Sequence, residues 1–154
     1  MCKKTSLLSL ILLAAMALAP ALMSSTAFAV DDDTSTGSVD LSSVRAKIKA
    51  GSYGAALEEL RGLAEDTQQA DVYNLLGYTL RKTGDYTTSL TYYNKALDLQ
   101  PDFRAAREYL GELYVETGNI GKAKEQLTAL VRLCPSGCEE REDLEKALAG
   151  KTAN

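Results

Sequence analysis

The chain holds no histidine and no tryptophan among its 154 residues. Without imidazole it lacks both the commonest general base and the commonest metal ligand. Catalysis would fall to carboxylates or tyrosines alone, so a non-enzymatic role is expected, with no metal and no other cofactor. Positive charge is also scarce: 17 Lys and Arg face 21 Asp and Glu, a net charge of −4. Such a surface gives nucleic acid no footing, because phosphate backbones are held by a basic face. Proline occurs three times, at 20, 101 and 135, each time closing a regular segment. Cysteine also occurs three times, and only Cys134 and Cys138 stand close together.

Long apolar runs are missing too, with one exception. Lys3 and Lys4 precede "LLSLILLAAMALA" at 7–19, and Pro20 breaks the run. Ala27-Phe28-Ala29 then supplies a small-x-small pattern ahead of Val30 and "DDD". The run is shorter than the roughly 20 residues that cross a bilayer. A cleaved export signal over 1–29, cut after Ala29, is therefore expected rather than a membrane anchor. A lipoprotein would carry a cysteine just after the run, whereas Cys2 lies ahead of it and leaves with the signal. The expected product is soluble and periplasmic or secreted, with no membrane insertion after cleavage. Loss of Lys3 and Lys4 moves its net charge to about −6 over about 125 residues, enough for one modest core.

What is present after the signal is helical pattern. Residues 30–38 end in the polar "DDDTSTGS" and read as a disordered lead-in. From Val39 onward apolar residues recur at helical spacing, interrupted at intervals by Gly or Pro. "KAGSYGAALEEL", "KTGDYTTSLTYY" and "ETGNIGKAKEQL" align without gaps, their Gly51, Gly84 and Gly118 being 33 and 34 residues apart. A repeat of this period means stacked helical hairpins, none able to bury its apolar face alone.

The middle unit is the fullest. Tyr73, Leu76, Gly77 and Leu80 share one face of a first helix. Gly84 ends it and Asp85 can cap the second, whose stripe is Tyr86, Leu90, Tyr93 and Leu97. Pro101 stops that helix, and Asp102 can cap the next. This unit closely resembles the tetratricopeptide repeat: an aromatic, Leu-Gly, Gly-Asp-Tyr, a small residue, an aromatic, Lys-Ala-Leu and a proline, all in register. The next unit repeats it through Leu110, Gly111, Tyr114, Gly118, Ile120, Ala123, Leu127 and Pro135, departing at Arg107 and Leu130. The first unit matches through Tyr53, Ala56, Leu60 and Leu63, but its first helix lacks the Leu-Gly pair.

The resemblance implies an all-α solenoid of about 2.5–3 tandem antiparallel helical hairpins over 39–135, divided near 39–69, 70–103 and 104–137. A capping helix at 138–150 would follow, apolar at Leu144, Ala147 and Leu148 and ended by Gly150. The resemblance further implies protein–protein interaction, with a peptide or partner helix lying in a concave groove lined by first helices. By motif position the groove residues are Arg45, Ile48 and Lys49 from the first unit. The middle unit contributes Asn74, Tyr78, Arg81 and Lys82. The third contributes Glu108, Glu112 and Glu116, which fall on one helix face as an acidic ridge. Such a groove is basic at one end and acidic at the other, an electrostatic seat for a partner of matching polarity. The alternative is that Arg81 and Lys82 merely pair with Glu112 and Glu116 in an exposed arrangement worth little energy. The incomplete first unit also leaves self-association open.

The eight tyrosines mostly sit on packing stripes, Tyr78 being the exception. Cys134 and Cys138 admit three readings. A redox pair would depart from the two-residue spacing of thioredoxin-like motifs. A metal site would have two thiolates, with Glu139 or Glu140 to help, but no histidine and no second cysteine pair, where closed zinc sites use four ligands. A disulfide suits an oxidising compartment and a Pro-Ser-Gly turn, and would set how the capping helix docks. The competing function is accordingly a thiol-redox or metal-handling factor built on these two cysteines.

Overall fold

A computed structural model of the protein describes residues 38–152. The expected signal at 1–29 lies outside the described residues, as does all of the 30–38 lead-in except Ser38. Seven α-helices and no strand occur among the described residues: α1 (Ser42–Lys49), α2 (Tyr53–Asp66), α3 (Ala70–Lys82), α4 (Tyr86–Leu99), α5 (Arg104–Glu116), α6 (Ile120–Leu133) and α7 (Glu139–Thr152). The architecture is all-α, as the period implies. None of these helices is long and apolar enough to cross a membrane.

The hairpin turns follow from one device used three times. Gly51, Gly84 and Gly118 adopt φ of 72°, 86° and 78°, a left-handed backbone that a side chain disfavours. The next residue in each case donates its N–H five residues back: Ser52 to Lys47, Asp85 to Leu80 and Asn119 to Tyr114. This closure satisfies carbonyls at the end of α1, α3 and α5 and turns the chain into α2, α4 and α6. Asp85 then accepts from the Thr88 N–H at 3.1 Å and caps α4. Asp102 does not play that part for α5. The N-cap there is Phe103, and no side chain caps the helix.

The second and third units tie their first helices to the preceding link at an equivalent position. The Tyr73 hydroxyl points at the Thr67 carbonyl, 3.4 Å away. Thirty-four residues later, Arg107 Nη2 donates to the Pro101 carbonyl at 2.5 Å and Nη1 to Gln126 Oε1 at 3.2 Å. The departure from an aromatic at Arg107 thus keeps the same attachment with a longer, charged donor.

Three apolar clusters run along the stack. Leu41, Val44, Leu60, Val72 and Leu76 form the first, and Tyr93, Leu110 and Leu113 the second. The third joins Val115, Ala123 and Leu130 to Leu144 and Leu148 of α7. Two glycines permit the closest approaches. A Cβ on Gly77 would lie 2.6 Å from the Tyr93 ring, while one on Gly111 would lie 2.5 Å from Leu144 of α7. Ser89 reinforces the first approach, donating to the Gly77 carbonyl at 2.7 Å. Helix α7 therefore covers the last hydrophobic face by packing on both α5 and α6. It runs on to Thr152, two residues past the Gly150 expected to end it. Tyr86 is not on the buried stripe of α4; it is 40% exposed, while Tyr93 is fully buried.

Candidate functional site

Repeat register brings chemically different residues to equivalent places on α1, α3 and α5. Arg45, Tyr78 and Glu112 are one such set, and Lys49, Lys82 and Glu116 another. Arg45 and Lys49 are exposed, and Arg45 sits 3.5 Å from Asp71 across the α1–α3 junction. They join Ile48, Leu75, Tyr78 and Tyr109 around a cavity of about 230 Å³. Its walls come from all three first helices, with two cations at the α1 side and two tyrosine rings at the other. The rings of Tyr78 and Tyr109 stand 5.0 Å apart. Burial raises the pKa of both phenols, and the Glu108 charge acts in the same direction on each.

Behind these rings lies Arg81. It is 4% exposed, so it does pair with the α5 glutamates as the alternative reading had it, but buried on the arginine side rather than exposed. Nη2 donates to Glu112 Oε2 at 2.5 Å and Nη1 to Glu116 Oε1 at 2.7 Å. The guanidinium carbon is 5.6 Å from the Tyr78 ring centre and 5.9 Å from that of Tyr109, within cation–π range. Burial opposes the charge, but Tyr93, Glu112 and Glu116 outweigh it and hold Arg81 above its ordinary pKa. Lys82 does not share in this network. It is exposed, with its ammonium 5.2 Å from the Tyr78 ring centre.

Glu108 has a different fate from its two neighbours on the ridge. It is 8% exposed and makes no hydrogen bond or ion pair among the described residues. It faces a second cavity, of about 220 Å³, lined by Ala105, Glu108, Tyr109, Glu139, Glu140 and Asp143. Burial pushes the Glu108 carboxyl up to about 8, helped by Glu112, Asp143 and Glu140 and opposed by Arg81. At neutral pH it is therefore largely protonated.

Of the sequence-predicted residues, Arg45, Lys49 and Tyr78 line the first cavity, Glu108 lines the second, and Arg81, Glu112 and Glu116 form the ion network between α3 and α5. Asn74 and Lys82 line neither cavity. Asn74 is buried, with its side-chain oxygen lacking a partner, as the Arg81 Nε and Tyr93 hydroxyl do. Sequence reasoning missed Leu75, Tyr109, Glu139, Glu140 and Asp143. Leu75 and Tyr109 stand 34 residues apart at one register position, a signal that the alignment contained. The acids of α7 carried no such signal, since α7 lies beyond the last aligned unit.

Cys134 is buried at the end of α6 and Cys138 is half-buried just before α7. Their Cα atoms are 6.0 Å apart and their sulfurs are paired. Gly137, at φ 100°, makes the turn between them. Among the described residues, no group of three or more Cys, Asp or Glu is gathered to hold a metal ion.

Residues 70–103 and 110–136 match family models of the tetratricopeptide repeat. The uncharacterized protein ycf37 of Guillardia theta is 35% identical over 63 residues, 41% of this chain and 35% of that protein. The Sol locus transcriptional repressor of Clostridium acetobutylicum is 39% identical over 62 residues, 40% of this chain and 20% of that protein. The chain thus spans about a third or less of the length of these relatives. The type III secretion translocator chaperone SycD of Yersinia enterocolitica superposes with a TM-score of 0.64 at 16% identity, covering 73% of this chain and 88% of that one. At that identity the likeness is one of fold. Repeats of this kind are in general protein-interaction modules.

Proposed function

Because the chain carries tetratricopeptide repeats, we propose that it is a non-catalytic scaffold holding a peptide or partner helix against α1, α3 and α5. The observation that carries this reading is the pair of cavities on the first helices and their seam with α7. One is lined by Arg45, Lys49 and two tyrosines, the other by four acids, and Tyr109 belongs to both. A partner acidic near one end and basic near the other is complementary to that arrangement, which favours encounter and orientation over raw affinity.

The pattern over 1–29 supports export, so the working compartment is the periplasm or the exterior, where a Cys134–Cys138 bridge forms as a structural link. Mass spectrometry of the exported protein should give a chain starting at Val30 with no free thiol. For the groove, a photo-crosslinking residue is placed at Tyr78 or, as a control on α6, at Lys124, followed by pull-down from the producing cells. Partner adducts should form from position 78 and not from 124. Adducts from 124 alone would move the binding face elsewhere. The thiol-redox alternative is favoured by one observation, the proximity of the two sulfurs. Loss of activity in Cys134→Ser/Cys138→Ser with an unchanged Tm would select it over the scaffold.

A further inference from the structure

We propose that the cavity between α5 and α7, walled by Glu108, Tyr109, Glu139, Glu140 and Asp143, is a socket for an arginine side chain presented by a protein partner. The proposal rests on the interaction reading above and names what one end of that surface takes.

The lining holds four carboxyl groups and no basic residue. Two of the acids are already engaged at the rim: Glu140 with Arg104 at 3.6 Å and Asp143 with Lys146 at 2.8 Å. Glu108 is the odd one. It is more than nine-tenths buried, faces the cavity and makes no hydrogen bond or ion pair among the described residues. A carboxyl held this deep gains from any donor that reaches it. The supply must come from the cavity side, because Arg81, the cation that acts on Glu108 from α3, is already committed to Glu112 and Glu116.

A bare metal ion is a poor occupant, since the acids are not gathered at ligand spacing. A planar cation with donors spread along its edges can instead reach carboxylates that stand apart. The Tyr109 ring offers the flat face on which a guanidinium stacks. The cavity volume of about 220 Å³ is of side-chain scale. Tyr109 also walls the basic cavity, so a peptide with its arginine seated here continues toward Arg45 and Lys49.

Seating a cation beside Glu108 favours its ionised form, so binding releases a proton. The groups that set this titration are Glu112 on α5, Glu140 and Asp143 on α7, and Arg81 on α3. Affinity should therefore tighten by up to about tenfold per pH unit as pH rises toward the Glu108 value, and level off above it.

The test uses the full chain and two probes, N-acetyl-arginine N-methylamide and its citrulline counterpart, which has the same shape without the charge. Amide resonances of 105–109 and 139–143 should move with the arginine probe and stay with citrulline. In Glu108→Gln, arginine affinity should fall about tenfold and lose its dependence on pH. That loss is a change a merely structural role would not produce. Equal shifts with citrulline, no shift at the seam, or an unchanged pH profile in Glu108→Gln would each overturn the socket. The crosslink at position 78 is independent of these readouts: adducts there with a silent arginine probe would leave the scaffold standing and remove the socket.

Discussion

Arg81 and Glu108 are two nearly buried charged residues on adjacent first helices, and they are treated in opposite ways. The α3–α5 junction surrounds Arg81 with two carboxylates and two aromatic rings, and it keeps its charge. The α5–α7 seam surrounds Glu108 with more acid, and it keeps its proton instead. Both outcomes obey one rule, that a buried ion persists only where its surroundings replace the water it lost. The junction between two repeats thus pairs its buried charge, while at the seam between repeat and cap Arg104 pairs with Glu140 and leaves Glu108 without an ion pair. A stack held together at the first place is left chemically open at the second.

Four perturbations should separate the two regions, beginning with the strongest. Arg81→Met leaves Glu112 and Glu116 without their cation beside apolar surface and should cost about 2–4 kcal/mol in urea unfolding. A loss below the error of the measurement would mean that the junction is not held by this network. Gly77→Ala drives a methyl into the fully buried Tyr93 ring and should cost about 1–3 kcal/mol. Gly111→Ala should cost less than Gly77→Ala, because Leu144 is a flexible side chain on the last helix. The reverse order would make the seam the tighter contact. Cys134→Ser/Cys138→Ser frees the α6–α7 link, and so short a loop should lower stability by about 2 kcal/mol or less, read as a small drop in Tm.

The effect of pH has a definite sign. The folded Glu108 value of about 8 lies above that of an unfolded glutamate, whose ordinary value is 4.5. Between those two values the unfolded chain binds fewer protons than the native one, so rising pH removes stability across that window. Glu108→Gln escapes the loss. Its unfolding free energy should match the parent near pH 4 and exceed it near pH 8, the gap widening steadily across the window. Parent and variant keeping the same difference at both pH values would show that Glu108 ionises freely.

Much of the fold was readable from spacing, because local chemistry dictated it. Gly51, Gly84 and Gly118 announce their turns through a backbone that glycine adopts most easily, and the apolar stripes between them have one way to be buried. The pairing of Arg81 with Glu112 and Glu116 was also within reach, since α3 and α5 are related by the same period. Its burial was not, because Tyr78 and Tyr109 close over the guanidinium only once two helices are placed side by side. The acids of α7 were unreadable as cavity walls for a related reason. A helix outside the repeat register gives no clue to its rotation, and Glu139, Glu140 and Asp143 look like any solvated face until Leu144 enters the space beside Gly111 and turns them toward Glu108.

The Tyr109 ring, which is a wall of both cavities, has a thermodynamic consequence. Any occupant of the basic cavity that prefers one rotamer of that ring changes the room available in the acidic one, and the converse holds by the same factor. Two ligand fragments titrated separately and then together would expose the linkage as a departure from additivity, and Tyr109→Leu would erase it. A single phenol thus makes the two ends of the surface answer to each other.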